Sequence, residues 1–194
     1  MPTTIASRGE ATRSAILDRA VDLASAEGLD GLTIGRLAGE LEMSKSGLFA
    51  HFGSKQDLQL ATVDAAARRF REAVIDPAKG APDGARRLRA MTAAYIADLD
   101  SNGNSGGCFW AATSAEYDDR PGPVRDAIAA ALDAWLGELE RQARIAGVAE
   151  PERLAFELYA LVMGANARFR LSGDRRVFGY ARESAEALLA ELPN

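Results

Sequence analysis

Residues 33–52 read TIGRLAGELEMSKSGLFAHF, and GSKQDL follows at 53–58. This stretch predicts two short helices joined by a tight turn, with a third helix beginning at once. Local signals mark each boundary. Thr33 is placed to cap the first helix, its hydroxyl accepting from a free backbone N–H. Leu32 precedes that cap and Leu37 lies at the fourth helical position, a hydrophobic staple. Eleven residues on, Met43, Ser44 and Leu48 repeat the arrangement. Ser54 then caps a third helix, and Asp57 completes a capping-box variant with its carboxylate at the favourable end of the helix dipole. Leu37, Ala38, Leu41, Leu48, Phe49 and Phe52 supply an apolar inner face, with Ala38 small where the helices cross. The short turn Glu42-Met43-Ser44 forces a sharp crossing angle, as in a helix-turn-helix.

If 44–52 is a recognition helix, its first turn enters the major groove. Ser44, Lys45, Ser46, Gly47, Ala50 and His51 are the outward residues. Lys45 and Ser46 can meet base edges, Gly47 permits close backbone approach, and Ala50 can touch a thymine methyl. Lys55 stands at the next helix start, where its ammonium and free N–H groups can both meet a phosphate. His51 is the one histidine of the chain, so no histidine metal cluster is possible. Its competing reading is a surface histidine with a local hydrogen bond. For the whole segment the competing reading is an ordinary three-helix packing unit.

Residues 12–60 as a unit resemble the N-terminal domain of the TetR family of bacterial one-component repressors. The likeness includes the stripe Ile16, Ala20, Leu23 and Ala24, the link Gly28-Leu29-Asp30-Gly31-Leu32-Thr33, and Leu48-Phe49-Ala50-His51-Phe52 before Ser54-Lys55. The resemblance implies that Thr33 and Arg36 approach the phosphate backbone. It also implies that Lys45, Ser46, Gly47, Ala50 and His51 face bases or flanking phosphates, and that Lys55 clamps a phosphate. Phe49 stands where the family usually carries a tyrosine whose hydroxyl touches phosphate. It is expected to keep the apolar packing and lose that bond, about 1 kcal/mol of anchoring.

Charge gives less support. The chain of 194 residues has a formal net charge of −5, and residues 1–60 hold six Lys or Arg against eight Asp or Glu. A non-specific nucleic-acid coat is therefore excluded. A specific binder that touches few phosphates, through Arg8, Arg13, Arg36, Lys45 and Lys55, remains compatible and is easily released by salt. The single cysteine, Cys108, permits no intramolecular disulfide and fits a reducing cytoplasm. The first residues lack the apolar core of a signal peptide, and no apolar run approaches the ~20 residues of a membrane span. A soluble cytoplasmic protein is expected. Residues 1–10 read as a mobile arm with Arg8 a candidate minor-groove or phosphate contact, residues 11–56 as the helix-turn-helix domain, and residues 57–194 as a ligand-binding and dimerisation domain.

Beyond residue 55 strand signals are scarce and apolar residues recur at helical spacing, so the chain reads as all-α. Helices are expected over about 55–75, 84–100, 107–117, 123–146, 151–172 and 174–191, with 101–107 a flexible-looking stretch. The helix at 123–146 carries one inward stripe through Val124, Ile128, Trp135, Leu139 and Gln142. The helix at 151–172 is apolar around most of its circumference and so needs cover on two sides. Together with the last helix it can form a four-helix bundle between two chains, through Leu158, Val162, Ala165, Ala181, Ala185 and Leu188. A two-fold operator read by one head per chain requires such a dimer, and the resemblance implies the same interface; a monomer core is the alternative. The segment GGCFWAATSAEY (106–117) suits a pocket wall for a small apolar ligand. Phe109, Trp110 and Thr113 would line it, with Met91 and Tyr95 on one side and Tyr159, Met163, Asn166 and Phe169 on the other. Aromatics at helical spacing are more often core. Cys108 has no basic neighbour in sequence to lower its pKa and reads as an inert thiol.

The expected function is a homodimeric, DNA-binding transcriptional regulator. Its expected partners are a palindromic double-stranded operator, which it represses by steric blocking, and an unnamed small-molecule effector that releases it. No cofactor or metal is expected. An enzyme reading lacks a base for Cys108, a phosphate loop and a metal cluster. A protein-binding adaptor would leave Lys45, Ser46 and His51 idle.

Overall fold

A computed structural model of the chain describes residues 8–101, 106–190 and 192, and among them it contains helices and turns and no strand. The all-α expectation therefore holds. Helix α1 (Arg8–Glu27) is followed by α2 (Ile34–Glu40), α3 (Lys45–Phe52) and α4 (Lys55–Phe70). Residues 8–10, expected in the arm, form the first turn of α1, while residues 1–7, the Arg8 side chain and residues 102–105 lie outside the described residues.

The predicted caps form. Thr33 Oγ1 accepts from Arg36 N (3.1 Å) and Ser44 Oγ from Gly47 N (3.0 Å). Ser54 Oγ accepts from Asp57 N (3.0 Å). The reciprocal half of that third cap differs from a capping box: Asp57 Oδ2 takes the Ser54 hydroxyl (2.7 Å), while Ser54 N donates to Phe52 O (2.8 Å). Ile16, Ala20, Leu23 and Ala24 of α1 are buried with Leu32, Leu37, Ala38, Leu48 and Phe52, so three helices close round one small core.

The turn between α2 and α3 is a Schellman motif. Met43 N donates to Ala38 O (2.9 Å) and Glu42 N to Gly39 O (3.4 Å), which satisfies two carbonyls at the end of α2. That geometry puts Glu42 at φ 53°, the one non-glycine residue at positive φ among those described.

Helix α4 runs on through a π-helical turn (Arg71–Ile75) into the short α5 (Asp76–Ala78). Pro77 explains the widening. It offers no N–H to Ala73 O, and its ring crowds that carbonyl in an α-helix. The chain instead closes a wider turn, with Asp76 N donating to Arg71 O. The remaining helices are α6 (Ala85–Asp100), α7 (Phe109–Tyr117), α8 (Pro123–Ile145), α9 (Pro151–Ser172) and α10 (Arg176–Leu189). Helix α8 packs on α9, α9 on α10 and α10 back on α6, while α7 lies between α1 and α8. Gln142, on the inward stripe of α8, is buried with its amide satisfied: Oε1 accepts from Gly84 N (2.6 Å), and Nε2 donates to Asp83 Oδ1 (2.9 Å) and Glu138 Oε1 (3.0 Å).

A left-handed conformation costs an ordinary residue roughly 1–2 kcal/mol, and glycine returns part of that gain through its freer unfolded state. Glu42→Gly is therefore expected to stabilise the protein by about 0.5–1 kcal/mol in urea unfolding; unchanged or lowered stability would show that the turn is not held in this form.

Candidate functional site

Helix α3 presents Ser44, Lys45, Ser46 and Ala50 to solvent, with Gly47 and His51 half-buried beside them. Ser44 Oγ, besides its cap, lies 3.3 Å from Ser46 Oγ. Lys45 leans across Gly35 of α2, where a Cβ would come within 3.3 Å of its Cε, and has no ion-pair partner among the described residues. Phe49 corrects the sequence reading. It is 51% exposed and does not belong to the inner face. Leu48 and Phe52, four apart, point inward, so helical geometry turns Phe49 onto the Lys45 side. A large apolar ring thus stands among the residues expected to meet DNA.

The other expected phosphate ligands are tied to the protein. Arg36 pairs with Glu27 (3.0 Å) and with Glu40, which also takes Arg19 Nη2 (2.6 Å). The Arg36 hydrogen bond lowers the Glu27 pKa, and the Arg19 hydrogen bond lowers that of Glu40. Lys55 Nζ donates to Asp30 O (2.8 Å) and Oδ1 (2.7 Å), and the Lys55 ammonium holds the Asp30 carboxyl below its usual value. Arg13 lies over the Phe52 ring, 4.8 Å from its centroid. Thr33 is exposed, its hydroxyl used by the cap.

The same Asp30 loop is gripped from α7, a contact that sequence reading missed. Glu116 Oε2 accepts from Leu29 N (2.6 Å) and Oε1 from Asp30 N (2.7 Å). Gln59 Nε2, buried in α4, donates to Leu29 O (2.9 Å) and to Tyr117 Oη (3.0 Å). Arg120 reaches Asp30 Oδ2 at 3.3 Å. Gly28 makes the approach possible. At φ 82° it carries no side chain, and a Cβ there would lie 2.7 Å from Glu116 Oε2. Gly106 is equally constrained, since a Cβ would fall 2.0 Å from the backbone of Ser25. Nothing local could have revealed Glu116, which is 87 residues from Leu29.

The other end of α7 faces an aromatic cluster. The Phe70 ring meets Tyr95 at 4.8 Å, Trp135 at 5.0 Å and Trp110 at 6.4 Å, all edge to face. These rings, with Leu132, Ile75 and Arg71, wall a cavity of about 110 Å³. Tyr95 and Trp110 were expected at a pocket; Phe70, Trp135 and the π-helical residues were not. Met91, Phe109 and Thr113 are buried nearby, and Thr113 Oγ1 donates to Phe109 O (2.9 Å). The α9 residues stand apart from this cavity. Asn166 Oδ1 accepts from Cys108 N (3.3 Å), Phe169 packs on Phe178, and Tyr159 and Met163 are half-buried against the core. Cys108 Sγ lies 3.2 Å from Tyr95 Oη, and burial pushes the thiol pKa up, which fits an inert sulfur.

Helices α9 and α10 border an open groove of about 830 Å³. The expected dimer residues divide here. Leu158, Val162 and Ala185 are buried and turn away from the groove, whereas Ala165 and Ala181 lie at its buried floor and Leu188, 37% exposed, lines its wall. The outward residues are Phe156, Ala160, Leu161, Gly164, Tyr180 and Ser184, with Phe156 66% and Tyr180 59% exposed. Both faces of α9 are apolar, so periodicity could not tell which one looks out.

Among the described residues no cluster of His, Cys, Asp or Glu could hold a metal, and no helix is long and apolar enough to cross a membrane. No curated protein matches the sequence. Solved structures do match. A TetR-family regulator from Streptomyces coelicolor is 25% identical with a TM-score of 0.82, covering 94% of this chain and 97% of that one. One from Chloroflexus aurantiacus J-10-FL is 23% identical with a TM-score of 0.85, covering 95% and 96%. AibR, solved in complex with isovaleryl coenzyme A and operator DNA, is 22% identical with a TM-score of 0.74, covering 91% and 98%. Residues 16–62 match the model described as bacterial regulatory proteins, tetR family, and residues 84–185 match the tetracyclin repressor-like C-terminal domain. With α3 exposed on a small N-terminal core and both family domains present in order, the chain belongs to the TetR family of DNA-binding transcriptional regulators.

Proposed function

We propose that the protein is a homodimeric repressor that binds a palindromic operator and is released when a small molecule enters its C-terminal helices. The carrying observation is the exposed first turn of α3, with Lys45 unpaired among the described residues. The reading head is residues 8–56 and the body residues 57–194, with α4 opening the body directly below the head. Ser44, Lys45, Ser46, Gly47, Ala50 and His51 read the major groove, and Phe49 adds an apolar contact. Thr33, Arg36 and Lys55 meet the backbone, the last two by exchanging Glu27, Glu40 and Asp30 for phosphate. That exchange keeps the net gain small. The operator lies on cytoplasmic DNA.

Dimerisation buries the α9–α10 groove against its two-fold copy. Phe156 and Tyr180 are large exposed apolar groups beside Ala160 and Gly164, where close approach is open. Two heads then sit about 34 Å apart, one DNA turn. The ligand acts on this spacing only through its different affinity for the two arrangements. AibR supports two parts of this scheme, a small-molecule site and an operator, since it has been solved in complex with isovaleryl coenzyme A and operator DNA. Two routes join the body to the head: α4, and α7 through Glu116.

Three outcomes test the proposal. Genomic fragments selected by the purified protein at about 150 mM salt should yield one palindromic site, absent with a Lys45→Glu, His51→Ala variant; no enrichment even at about 50 mM would contradict it. Phe156→Glu with Tyr180→Glu should give folded monomers in sedimentation with operator affinity down at least about a hundredfold, whereas a persisting dimer would move the interface elsewhere. Glu116→Ala leaves two N–H groups without their carboxylate and should cost about 2 kcal/mol in urea unfolding; a loss within about 0.5 kcal/mol would make the contact incidental.

A further inference from the structure

Helix α3 offers DNA a restricted set of side chains. Its sequence, KSGLFAHF, holds no Arg, Asn, Gln, Asp or Glu. In the major groove Arg or Lys pairs with guanine, Asn or Gln with adenine, and Asp or Glu with cytosine, while apolar groups cover the thymine methyl. The partners for adenine and cytosine are therefore missing from α3. Lys45 remains for guanine, and Phe49 and Ala50 remain for thymine. The Ser46 hydroxyl bonds to any base edge, and so can His51, half-buried in the last turn.

Phe49 is the largest of these groups. A lone exposed ring is ordinary on a protein surface, but the placement of this one is not. Phe49 is 51% exposed, and among the described residues up to Lys55 it is the one large apolar side chain left so. The head buries Leu37, Leu48 and Phe52 and turns this ring toward the face that carries Lys45.

Spacing orders the contacts. Lys45 and Phe49 are four apart, as are Ser46 and Ala50, so each pair forms a stripe along α3. Both stripes put a polar group in the first turn and an apolar one a turn later. A helical turn advances about 5.4 Å and successive bases of a strand lie about 3.4 Å apart, which sets the two groups one or two base pairs from each other. The first turn is fixed by Ser44 Oγ, which accepts from Gly47 N (3.0 Å) and lies 3.3 Å from Ser46 Oγ.

We propose that each operator half-site carries a thymine facing Phe49, within about two base pairs of a guanine facing Lys45, and that Phe49 selects this thymine through its 5-methyl group. The inference rests on the reading of α3 as a DNA reader and adds which bases it reads. The thymine methyl is the apolar group that sets one base pair apart in the major groove. Any other base would press a polar edge on the Phe49 ring, which strips its water and gives no hydrogen bond in return.

The test uses the full chain and the site it selects from genomic DNA, by fluorescence anisotropy at about 150 mM salt. Each thymine of a half-site is replaced in turn by deoxyuridine, which removes the 5-methyl group and keeps every pairing group. One replacement should weaken wild-type binding about fourfold, the increment of one buried methyl group. Phe49→Ala should lower affinity for the unmodified site and bring it within about 1.5-fold of the deoxyuridine site. Its thermal unfolding should stay within about 2 °C of wild type, since the ring is exposed. A cytosine at the same step should bind worse than thymine, and 5-methylcytosine should recover part of that loss in wild type but not in Phe49→Ala. Deoxyuridine without effect at every position, or a methyl effect undiminished in Phe49→Ala, would overturn the proposal. So would a Phe49→Ala protein weakened evenly on all sequences, which would place the ring on the sugar–phosphate backbone. Each of those results leaves α3 a DNA reader; failure to select any site denies that role and this inference with it.

Discussion

The carboxylate of Glu116, accepting the N–H groups of Leu29 and Asp30, is the contact on which the placement of the reading head depends. A helix-turn-helix of three short helices has a core of only a few side chains, here Ile16, Leu23, Leu37, Leu48 and Phe52 with their neighbours. Such a unit needs external cover, because small domains bury too little surface alone. Cover comes from two helices. Helix α4 continues from the head itself, and α7 meets it from the other side. Glu116 binds two adjacent donors of one loop, so the head is held in orientation as well as position. Gly28 is what lets the carboxylate in, and the Lys55–Asp30 and Arg120–Asp30 pairs close the loop round it.

That arrangement joins the helix-turn-helix to the aromatic cavity of the C-terminal helices. Helix α7 is nine residues long, with Trp110 at its cavity end and Glu116 at its head end. Phe70 occupies the matching place on α4, immediately before the π-helical turn that Pro77 imposes. The cavity is thus bordered by two helices, α4 and α7, that also reach the same loop, residues 28–30. Coupling of this kind needs two discrete arrangements of packed parts and no continuous deformation.

How much of this the sequence revealed follows the range of the interactions. Thr33, Ser44 and Ser54 were legible because a cap bonds three residues away. The family likeness gave the order of the domains. Phe49 was misplaced because Leu48-Phe49 offers two apolar neighbours, and only the packing decides which looks in. The same ambiguity put Leu158 and Val162 on the outer face of α9, where Phe156 and Ala160 stand. Arg36 and Lys55 looked like free cations because Glu27 and Asp30 approach through the tertiary fold, although Glu40, four residues after Arg36 on α2, was a local partner. Pro77 carried a local signal for the π-helical turn: a proline four residues after Ala73 forbids the regular turn there. Trp135 was correctly placed inward, but an orphan N–H exists only once its surroundings are assembled.

The central claim is that Glu116, and not chain connectivity alone, sets where the head sits. Spin labels at Gln56→Cys in a Cys108→Ala background would report the distance between heads in the proposed dimer by pulsed electron resonance. The account predicts one narrow distance distribution, and a clearly broadened one when Glu116→Ala is added, with the dimer intact. An unchanged distribution would contradict it, and would leave α4 as the sole determinant of head position.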